Sequence, residues 1–457
     1  MTFYMFGLSW VTNTLVNYGN IPQALSWLVL ALLATYLSGY VALFCFLYQG
    51  LGKGNPVFSF LLAPLIWTSL EYVRTVIPVF GFAWLGLGYS QVDQLAVIQI
   101  ADITGVYGVS AWIVFVNTGL FFLARGLYTK EPIHGFPLRV ALVLATVSAL
   151  CIGYGLKALS NFSPPDTDGL KVALVQGNIE QHLKWKPAYR DEVLRIYKKL
   201  TLEAAKLKPD LLVWPEAVTP FYFSQDLLPS RRVLDIIRKS ATPLVLGSPF
   251  VKLIDGKPRL LNSAFLVSPQ GEVMGRYDKI HLVPFGEFVP FNKLLWFVEK
   301  MTVGISDFAS GEMAKVFELR DLRGRLNQFG VSICFEITFP HLTRQPVKDG
   351  AEFLINITND AWFGRSAASY QHIEMAAMRA VENRVPIVRA ANTGITGVID
   401  RTGRIRQATN IFEETFLITT IHPQPAPTSF YSRYGDIFSY ICIAGMLLIP
   451  LLTRKRA

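Results

Sequence analysis

A cysteine, a glutamate and a lysine in three separate motifs of this chain could together perform nucleophilic chemistry. Cys334 ends an apolar run at 329–333 and precedes a segment of helical character, so the pattern predicts a strand, a sharp turn and a helix. Such a turn lifts a thiol off the end of a strand. Cys334 is also the only cysteine outside the apolar segments interpreted below as membrane helices, so we expect no intrachain disulfide for it. The alternative for a solitary cysteine is a small buried hydrophobe.

Glu216 and Lys279 are the residues that could activate this thiol. Glu216 closes the strand-like run 211–215 with a carboxylate, and Lys279 lies in a segment rich in turn residues. A thiol attacks as its thiolate and needs a base at neutral pH, while an ammonium group can stabilise an oxyanion. Taken singly, a glutamate at a strand end is more often solvated and a loop lysine is more often on the surface. The spacing of Glu216, Lys279 and Cys334 in the sequence does not by itself show that they meet in the folded protein.

The composition limits the class of protein in which these residues could work. Of the 457 residues, 51% are hydrophobic and only 17% are charged, which indicates that part of the chain lies in a membrane. Of the net charge of +10, half falls in the domain between the membrane segments, where its density is ordinary for a solvated surface, and no basic patch with interleaved aromatic residues favours nucleic-acid binding. The histidines are scattered, and no cluster has metal-ligand spacing. We therefore predict no metal and no cofactor.

Five apolar segments have the character of membrane helices, which need about 20 residues to cross a hydrocarbon core of about 30 Å. They are residues 22–49, 57–75, 106–124, 138–157 and, the shortest, 437–452. Residues 1–11 are apolar but too short to span, and we expect them to finish a helix that begins upstream. Glu71 and Arg74 predict either a structural ion pair or a contact with lipid headgroups.

Basic residues orient these helices, because lysine and arginine are retained on the cytoplasmic side. They occur in the connections 50–56 and 125–137 and at the C-terminus, whereas the connections 12–21 and 76–105 contain none. Threading the spans through this pattern places the large domain between the fourth and fifth helices outside the cytoplasm.

The sequence thus predicts three parts. They are a transmembrane helical domain over residues 1–157 with its first helices missing, an extracytoplasmic domain over 158–436, and a last membrane helix with a basic cytoplasmic tail over 437–457. In the second part, short apolar runs alternate with amphipathic helices, which is typical of a layered α/β domain. Strands are predicted at 171–176, 210–214, 243–247, 263–267, 329–334, 353–358, 387–391 and 397–400, and helices at 187–207, 228–240, 338–349 and 370–385.

Three motifs resemble the catalytic motifs of the nitrilase, or carbon–nitrogen hydrolase, superfamily. They are Trp-Pro-Glu216, Tyr-Asp-Lys279 and Ile-Cys334-Phe-Glu. The similarity continues in order through Asn359-Asp-Ala-Trp-Phe-Gly364, Gln371-His, Arg379-Ala-Val-Glu382, Arg389 and Asn392-Thr-Gly394. Membrane helices before and after the domain narrow the resemblance to the apolipoprotein N-acyltransferases, inner-membrane enzymes of bacteria that complete lipoprotein maturation. The motifs Val175-Gln-Gly-Asn178, Lys184-Trp185 and Phe285-Gly-Glu-Phe-Val-Pro290 are similar to that family in particular.

This resemblance implies an α-β-β-α sandwich and a role for each matched residue. Cys334 would be the nucleophile, Glu216 the general base and Lys279 the oxyanion support. Further expected site residues are Glu287, Glu336 and Phe335 in support of the triad, and Trp185, Trp84 and Trp362 in contact with substrate. Phe335 stands where many members of the family have tyrosine, so we expect it to pack and not to supply a hydroxyl.

The implied reaction has two steps. An acyl chain passes from a phospholipid, by resemblance the sn-1 chain of phosphatidylethanolamine, to Cys334 as a thioester, and then to the α-amine of the N-terminal diacylglyceryl-cysteine of an apolipoprotein. Two alternatives are a membrane-tethered amidase of the nitrilase type, which needs no acyl-chain channel, and a non-catalytic lipid-binding protein. Apolar loop residues could fold inward but, next to a membrane, are expected to rim the site and enter lipid; they are Phe221, Tyr222, Phe223, Phe288, Leu294, Leu295, Trp296 and Phe297.

Overall fold

The apolar segments form long helices in the computed structural model, which describes residues 1–52, 56–128, 136–162, 169–290 and 308–454. The helices are Gln23–Leu51, Pro56–Val76, Val106–Tyr128, Phe136–Ser160 and Ile437–Arg454. Within the described ranges, three stretches have both the length and the hydropathy to cross a membrane: Gln23–Leu51, Val106–Gly126 and Leu138–Ser160. Short helices complete this part of the chain at Thr2–Gly7, Trp10–Asn17, Leu95–Ile98 and Ala101–Thr104, with a 3₁₀-helix at Leu87–Gln91.

Glu71 and Arg74 form the structural ion pair that was one of the two predicted alternatives. Both side chains are buried, and a guanidinium nitrogen of Arg74 lies 3.9 Å from a carboxylate oxygen of Glu71. The same carboxylate accepts a hydrogen bond of 2.6 Å from the backbone N–H of Leu87, and Arg74 donates one of 3.1 Å to the hydroxyl of Tyr4. The pair therefore holds the helix Pro56–Val76 to the following connection and to the N-terminal helix.

The rest of the chain forms two mixed sheets of six strands each among the residues that the structure describes. The strands are β1 Leu170–Gln176, β2 Leu211–Val213, β3 Leu244–Ile254, β4 Lys257–Val267, β5 Val273–Asp278, β6 Val316–Arg320, β7 Leu326–Ile333, β8 Phe353–Thr358, β9 Ile387–Ala391, β10 Gly397–Ile399, β11 Ile405–Ala408 and β12 Thr415–Ile421. Their order is β12-β1-β2-β3-β4-β5 in one sheet and β11-β10-β9-β8-β7-β6 in the other.

Every strand that the sequence analysis predicted is present, and the four that it missed are the four edge strands β5, β6, β11 and β12. All four residues of β11 are exposed, and most of β12 is only half-buried. An edge strand has a neighbour on one side only and carries polar side chains that face water. Polar or glycine residues interrupt the apolar residues in all four, and in β12 the run 416–418 is followed by two threonines.

The two sheets pack face to face, and helices cover both outer faces. Between the sheets, Leu174 and Val213 of the first lie in one core cluster with Ile333 and Ile355 of the second. The first sheet is covered by Arg190–Ala205 and Leu227–Ser240, and the second by Pro340–Lys348 and Ala368–Asn383. The remaining short elements are Gln181–Lys184, Phe430–Tyr434 and 3₁₀-helices at Pro187–Tyr189, Cys334–Thr338 and Asp360–Phe363. This is the α-β-β-α sandwich that the resemblance implied.

The helices on the second sheet also pack against the apolar part of the chain. Ala376 and Met378 of the helix Ala368–Asn383 belong to the same buried cluster as Leu37, Trp84 and Tyr107. Burying apolar surface stabilises an interface by about 25 cal/mol per Å². The sandwich domain and the apolar helices thus share one continuous hydrophobic core.

Candidate active site

Parallel pairing brings the ends of several strands to one edge of the sandwich. β1, β2 and β3 run parallel in one sheet, and β7, β8 and β9 run parallel in the other. Glu216 follows β2, Cys334 follows β7 and Asn359 follows β8. In open α/β sheets the carboxyl ends of the strands are where ligands bind. The fold therefore collects side chains that are more than a hundred residues apart in the sequence.

Cys334 occupies a strained turn between β7 and a 3₁₀-helix. Its φ angle is +51°, in the left-handed region, whereas Ile333 before it is extended at −105°. A residue with a Cβ atom in that region costs on the order of 1–3 kcal/mol, and such strain persists where the surrounding structure enforces it. Strand β7 therefore ends in a sharp turn at Cys334, which leads into the 3₁₀-helix Cys334–Thr338. Cys334 as a whole is 8% exposed.

The ammonium group of Lys279 joins two carboxylates. Its Nζ atom lies 2.9 Å from a carboxylate oxygen of Glu287 and 3.5 Å from one of Glu216. The amide nitrogen of Asn262 bridges the same pair, donating hydrogen bonds of 2.8 Å to Glu216 and 2.9 Å to Glu287. Lys279, Glu216 and Glu287 thus lie together in one cluster. Asn262 lies on strand β4 in a run with no distinguishing motif, so the sequence analysis missed it.

The charges of this cluster act on the thiol. Burial raises the pKa of Cys334 well above its ordinary value, and the carboxylate of Glu216 raises it further, while Lys279 opposes both. Burial also disfavours the charge of Lys279, but Glu287 and Glu216 outweigh it and hold the pKa of that ammonium above its usual range. Near neutral pH, the site therefore contains a neutral Cys334 thiol and the ammonium form of Lys279.

The short helix Gln181–Lys184 holds Glu216 in place. The second carboxylate oxygen of Glu216 accepts a hydrogen bond of 2.9 Å from the backbone N–H of Asn359, whose side chain donates one of 2.7 Å to Gln181. Lys184, three residues further, donates to the backbone carbonyl of Glu216 at 3.3 Å. Burial lowers the pKa of Lys184 to about 8, although Glu216 opposes this shift. The helix Gln181–Lys184 thus holds both the main chain and the carboxylate of Glu216.

Glu336 links the Cys334 turn to the Lys279 loop. One carboxylate oxygen accepts hydrogen bonds from the hydroxyl of Tyr277 at 2.8 Å and from the backbone N–H groups of Ile280 at 2.7 Å and His281 at 3.1 Å. The other accepts one of 2.7 Å from the N–H of Ile333. Glu336 is fully buried, and burial raises its pKa while these donors oppose the shift. Its contacts are those of a residue that positions two loops.

The predicted aromatic residues differ in exposure. The Phe335 ring stacks on Trp84 with centroids 6.3 Å apart and meets Phe339 edge-on at 5.1 Å, which is the packing role expected for it. Trp84 is 1% exposed, and its indole N–H donates a 2.7 Å hydrogen bond to Gln371. Trp185 and Trp362 are 50% and 36% exposed. Direct contact with substrate is therefore open to Trp185 and Trp362, whereas Trp84 in this structure supports Phe335.

The apolar loop residues divide in the same way. Phe221 and Phe223 do not rim the site but fold into the core of the first sheet, because Ser248 binds the loop backbone at Phe223 N–H and Phe221 carbonyl. Tyr222 between them points outward and is 39% exposed, and Phe288 is half-buried. Leu294, Leu295, Trp296 and Phe297 lie outside the described residues.

Comparison with known proteins agrees with this arrangement. The family model described as carbon–nitrogen hydrolase matches residues 171–426, and the one described as the apolipoprotein N-acyltransferase N-terminal domain matches residues 1–119. The apolipoprotein N-acyltransferase of Geobacter metallireducens is 45% identical over 450 residues, which cover 98% of this chain and 84% of that protein. That of Haemophilus influenzae is 34% identical over 467 residues, with 98% and 84% covered.

Among solved structures, an amidase from Nesterenkonia aligns with a TM-score of 0.42 at 19% identity, over 60% of this chain and 97% of the amidase. The full-length relatives, by contrast, match both the apolar helices and the sandwich. The chain belongs to the apolipoprotein N-acyltransferase family and is an N-acyltransferase whose nitrilase-fold domain is joined to apolar helices that could span a membrane.

Proposed function

We propose that this enzyme moves an acyl chain from a phospholipid to the α-amine of an N-terminal diacylglyceryl-cysteine by way of a thioester on Cys334. One observation carries the proposal: the ammonium group of Lys279 lies 3.5 Å from Glu216 and 2.9 Å from Glu287, at the edge of the sandwich where Cys334 follows β7. A nucleophile, a base and a fixed positive charge are what acyl transfer through a covalent intermediate requires.

In the first step, the carboxylate of Glu216 takes the proton of the Cys334 thiol, and sulfur attacks the carbonyl carbon of the donor ester. The carbon–sulfur bond forms, and the ammonium group of Lys279 with backbone N–H groups near Cys334 stabilises the negative oxygen. The ester carbon–oxygen bond then breaks, and the proton held by Glu216 passes to the leaving alkoxide. The products are the thioester and a lysophospholipid.

In the second step, the α-amine of the acceptor attacks the thioester carbonyl. An α-amino group has a pKa of roughly 8, so about a tenth of it is already uncharged at pH 7 and Glu216 need only remove a loosely held proton. The carbon–nitrogen bond forms, the carbon–sulfur bond breaks, and the proton returns to the Cys334 sulfur. The enzyme is restored without any change in oxidation state.

The donor and the orientation are part of this proposal. Phosphatidylethanolamine, through its sn-1 chain, is the donor that the family resemblance suggests, and the core shared by Met378 and Trp84 keeps the site next to the apolar helices. The distribution of lysine and arginine favours residues 158–436 on the periplasmic face of the bacterial inner membrane, with the helical parts 1–157 and 437–457 in or beside the bilayer.

An amidase of the nitrilase type would use the same three residues, so product identity separates the two reactions. Purified full-length protein is supplied with labelled phosphatidylethanolamine and a diacylated lipopeptide, and the products are identified by mass. We expect N-acylated lipopeptide and lysophospholipid in equal amounts. Free fatty acid without N-acylation would indicate a hydrolase, and full activity of Cys334→Ala would indicate that the cysteine has no catalytic role.

A further inference from the structure

A buried histidine contacts the backbone of the proposed nucleophile. His372 lies on the helix Ala368–Asn383, has no exposed surface, and places its Nε2 atom 3.2 Å from the carbonyl oxygen of Cys334. Its Nδ1 atom lies 3.1 Å from a carboxylate oxygen of Asp360 and 3.0 Å from a guanidinium nitrogen of Arg389. None of these contacts takes part in the two steps described above.

The partners of His372 fix which ring nitrogen carries the proton. A carbonyl oxygen only accepts hydrogen bonds, so Nε2 must bear a hydrogen to bond Cys334. Burial and the Arg389 guanidinium lower the pKa of His372, with Asp360 in opposition, so the ring is neutral near pH 7 and Nδ1 accepts from Arg389. If the ring gains a second proton, that proton lies on Nδ1 and is donated to the carboxylate of Asp360, while Nε2 keeps its hydrogen. The bond to Cys334 therefore exists in both states.

The charged groups behind the ring cannot easily move. Arg389 donates to Asp360 at 2.8 Å and to Asn356, and Thr358 donates to Asp360 at 2.9 Å. Burial opposes the charge of Asp360, but Arg389 and His372 outweigh it and hold its pKa well below the usual range. Gly394 packs closely against Asp360. A Cβ atom at this position would lie only 2.2 Å from a carboxylate oxygen of Asp360, so the backbone of Gly394 fills the space next to that carboxylate.

Fixing the Cys334 carbonyl has a consequence on the opposite side of the peptide. In a planar trans peptide the C=O and the following N–H point in opposite directions, so a bond at the Cys334 oxygen also directs the N–H of Phe335 away from His372. Phe335 is in the first turn of the 3₁₀-helix Cys334–Thr338, where N–H groups have no partner within the helix. This N–H adjoins the thiol on the side of the peptide away from His372, where it can donate to an oxyanion.

Trp84 closes the other side of the histidine. Its ring centroid lies 5.3 Å from that of His372, and the indole is 1% exposed. Trp84 therefore shields this side of the His372 ring from solvent. Because Trp84 belongs to the connection between two apolar helices, the packing of that connection reaches the backbone of Cys334 through His372.

We propose that His372 is a positioning residue that orients the Cys334–Phe335 peptide, and with it the Phe335 N–H as a donor to the oxyanion of both acyl-transfer steps. The inference rests on the proposal that Cys334 is the nucleophile. A group misplaced by 1 Å can cost about 10²-fold in rate, so loss of this single bond is expected to slow the chemistry by about that factor.

The test compares His372→Gln with His372→Asn in the full-length protein. The side-chain amide nitrogen of glutamine falls near the position of Nε2 and can reach the Cys334 carbonyl, whereas that of asparagine falls near Nδ1 and cannot. Both residues are neutral amides and replace the same ring. We expect His372→Gln to form the acyl-enzyme at a rate near that of the unmodified protein and His372→Asn to form it about 10²-fold more slowly.

Three further readouts separate positioning from a general loss of structure. The KM for phosphatidylethanolamine and the pH dependence of the Cys334 thiol should be unchanged in both variants, and both should still carry label on Cys334. Equal acylation rates in the two variants would overturn the inference. If the unmodified protein carried no acyl label on Cys334, the proposal that Cys334 is the nucleophile would be overturned instead. Failure of the His372 inference can therefore be distinguished from failure of the proposed function.

A measurement on the unmodified protein covers the case in which His372→Asn does not fold. Nitrogen NMR of ¹⁵N-histidine-labelled protein, with His372→Gln to assign the signal, reports which ring nitrogen is protonated. We expect Nε2 of His372 to stay protonated across the accessible pH range. A ring with Nε2 unprotonated would contradict the bond on which the inference depends.

Discussion

The ammonium group of Lys279 lies closer to Glu287, at 2.9 Å, than to Glu216, at 3.5 Å. The two carboxylates are therefore not equivalent, although Asn262 donates to both. Glu287 takes the nearer position beside the positive charge, and in the proposed mechanism Glu216 exchanges a proton with Cys334. This division of roles leads to the first prediction.

Glu287→Gln should slow thioester formation by about 10²-fold or more, a size typical of losing acid–base catalysis. Without the charge of Glu287, Lys279 pairs with Glu216 alone and makes it a weaker base. The rate is measured as label transferred from phosphatidylethanolamine to protein in one turnover. Glu312→Gln is a matched control, because Glu312 pairs at 2.8 Å with Lys252 on the surface. A normal rate in Glu287→Gln would contradict the division of roles.

Phospholipid supplied without an acceptor should leave the acyl chain on Cys334. The second step cannot proceed without an amine, so the thioester accumulates and neutral hydroxylamine releases it. Cys334→Ser should lose turnover, because a serine hydroxyl is far harder to ionise than a thiol of ordinary pKa about 8.5. Cys151→Ser, in the apolar helix Phe136–Ser160, is the control and should keep full activity. Label on any residue other than Cys334 would contradict this assignment.

Glu216→Gln should lower the pKa of the Cys334 thiol and still abolish transfer. After burial, the negative charge of Glu216 is the largest cause of the raised thiol pKa. Removing that charge makes the thiolate easier to form, so at a given alkaline pH its fraction should rise while the base needed for catalysis is lost. Ultraviolet absorbance of the thiolate, with Cys334→Ala as the blank, measures the titration. A thiol pKa that rises or stays constant would show that Glu216 does not act on Cys334.

Glu336→Ala should destabilise the protein by at least about 3 kcal/mol, because a buried charged acceptor is removed and several N–H groups are left without a partner. Glu336 is fully buried and accepts from Ile280, His281 and Ile333. The free energy of unfolding in detergent is the measurement. Glu318→Ala, at an exposed position on β6, should change it little. If the two substitutions lowered the free energy of unfolding equally, Glu336 would not be what holds the Cys334 turn to the Lys279 loop.

A periplasmic reporter enzyme should be active when fused after Pro425 and inactive when fused after Arg456. The distribution of basic residues places the first position outside the cytoplasm and the second inside it. Equal expression of the two fusions is checked by immunoblotting. The reverse pattern of activity would place the catalytic domain in the cytoplasm and would contradict the proposed site of lipoprotein N-acylation.

Local patterns in the sequence were sufficient for the elements that bury a continuous apolar face. The helix Gln23–Leu51, strands β1 and β8, and the turn at Cys334 all follow from the types and periodicity of neighbouring residues. Resemblance in the motifs around Glu216, Lys279 and Cys334 then predicted the sandwich and the enzyme class. The edge strands were missed because one side of each lacks a neighbour, so their residues are not uniformly apolar.

Only the tertiary structure decided how the side chains pair. Asn262, His372 and Trp84 come from a strand, a helix and a membrane-side connection, and no spacing in the sequence shows that the first bridges two carboxylates while the other two pack at the Cys334 turn. Phe221 and Phe223 likewise fold inward although they lie on a loop. The physical reason is that secondary structure depends on residues a few positions apart. The charges and hydrogen bonds of this site join strand ends that meet only when two sheets pack together.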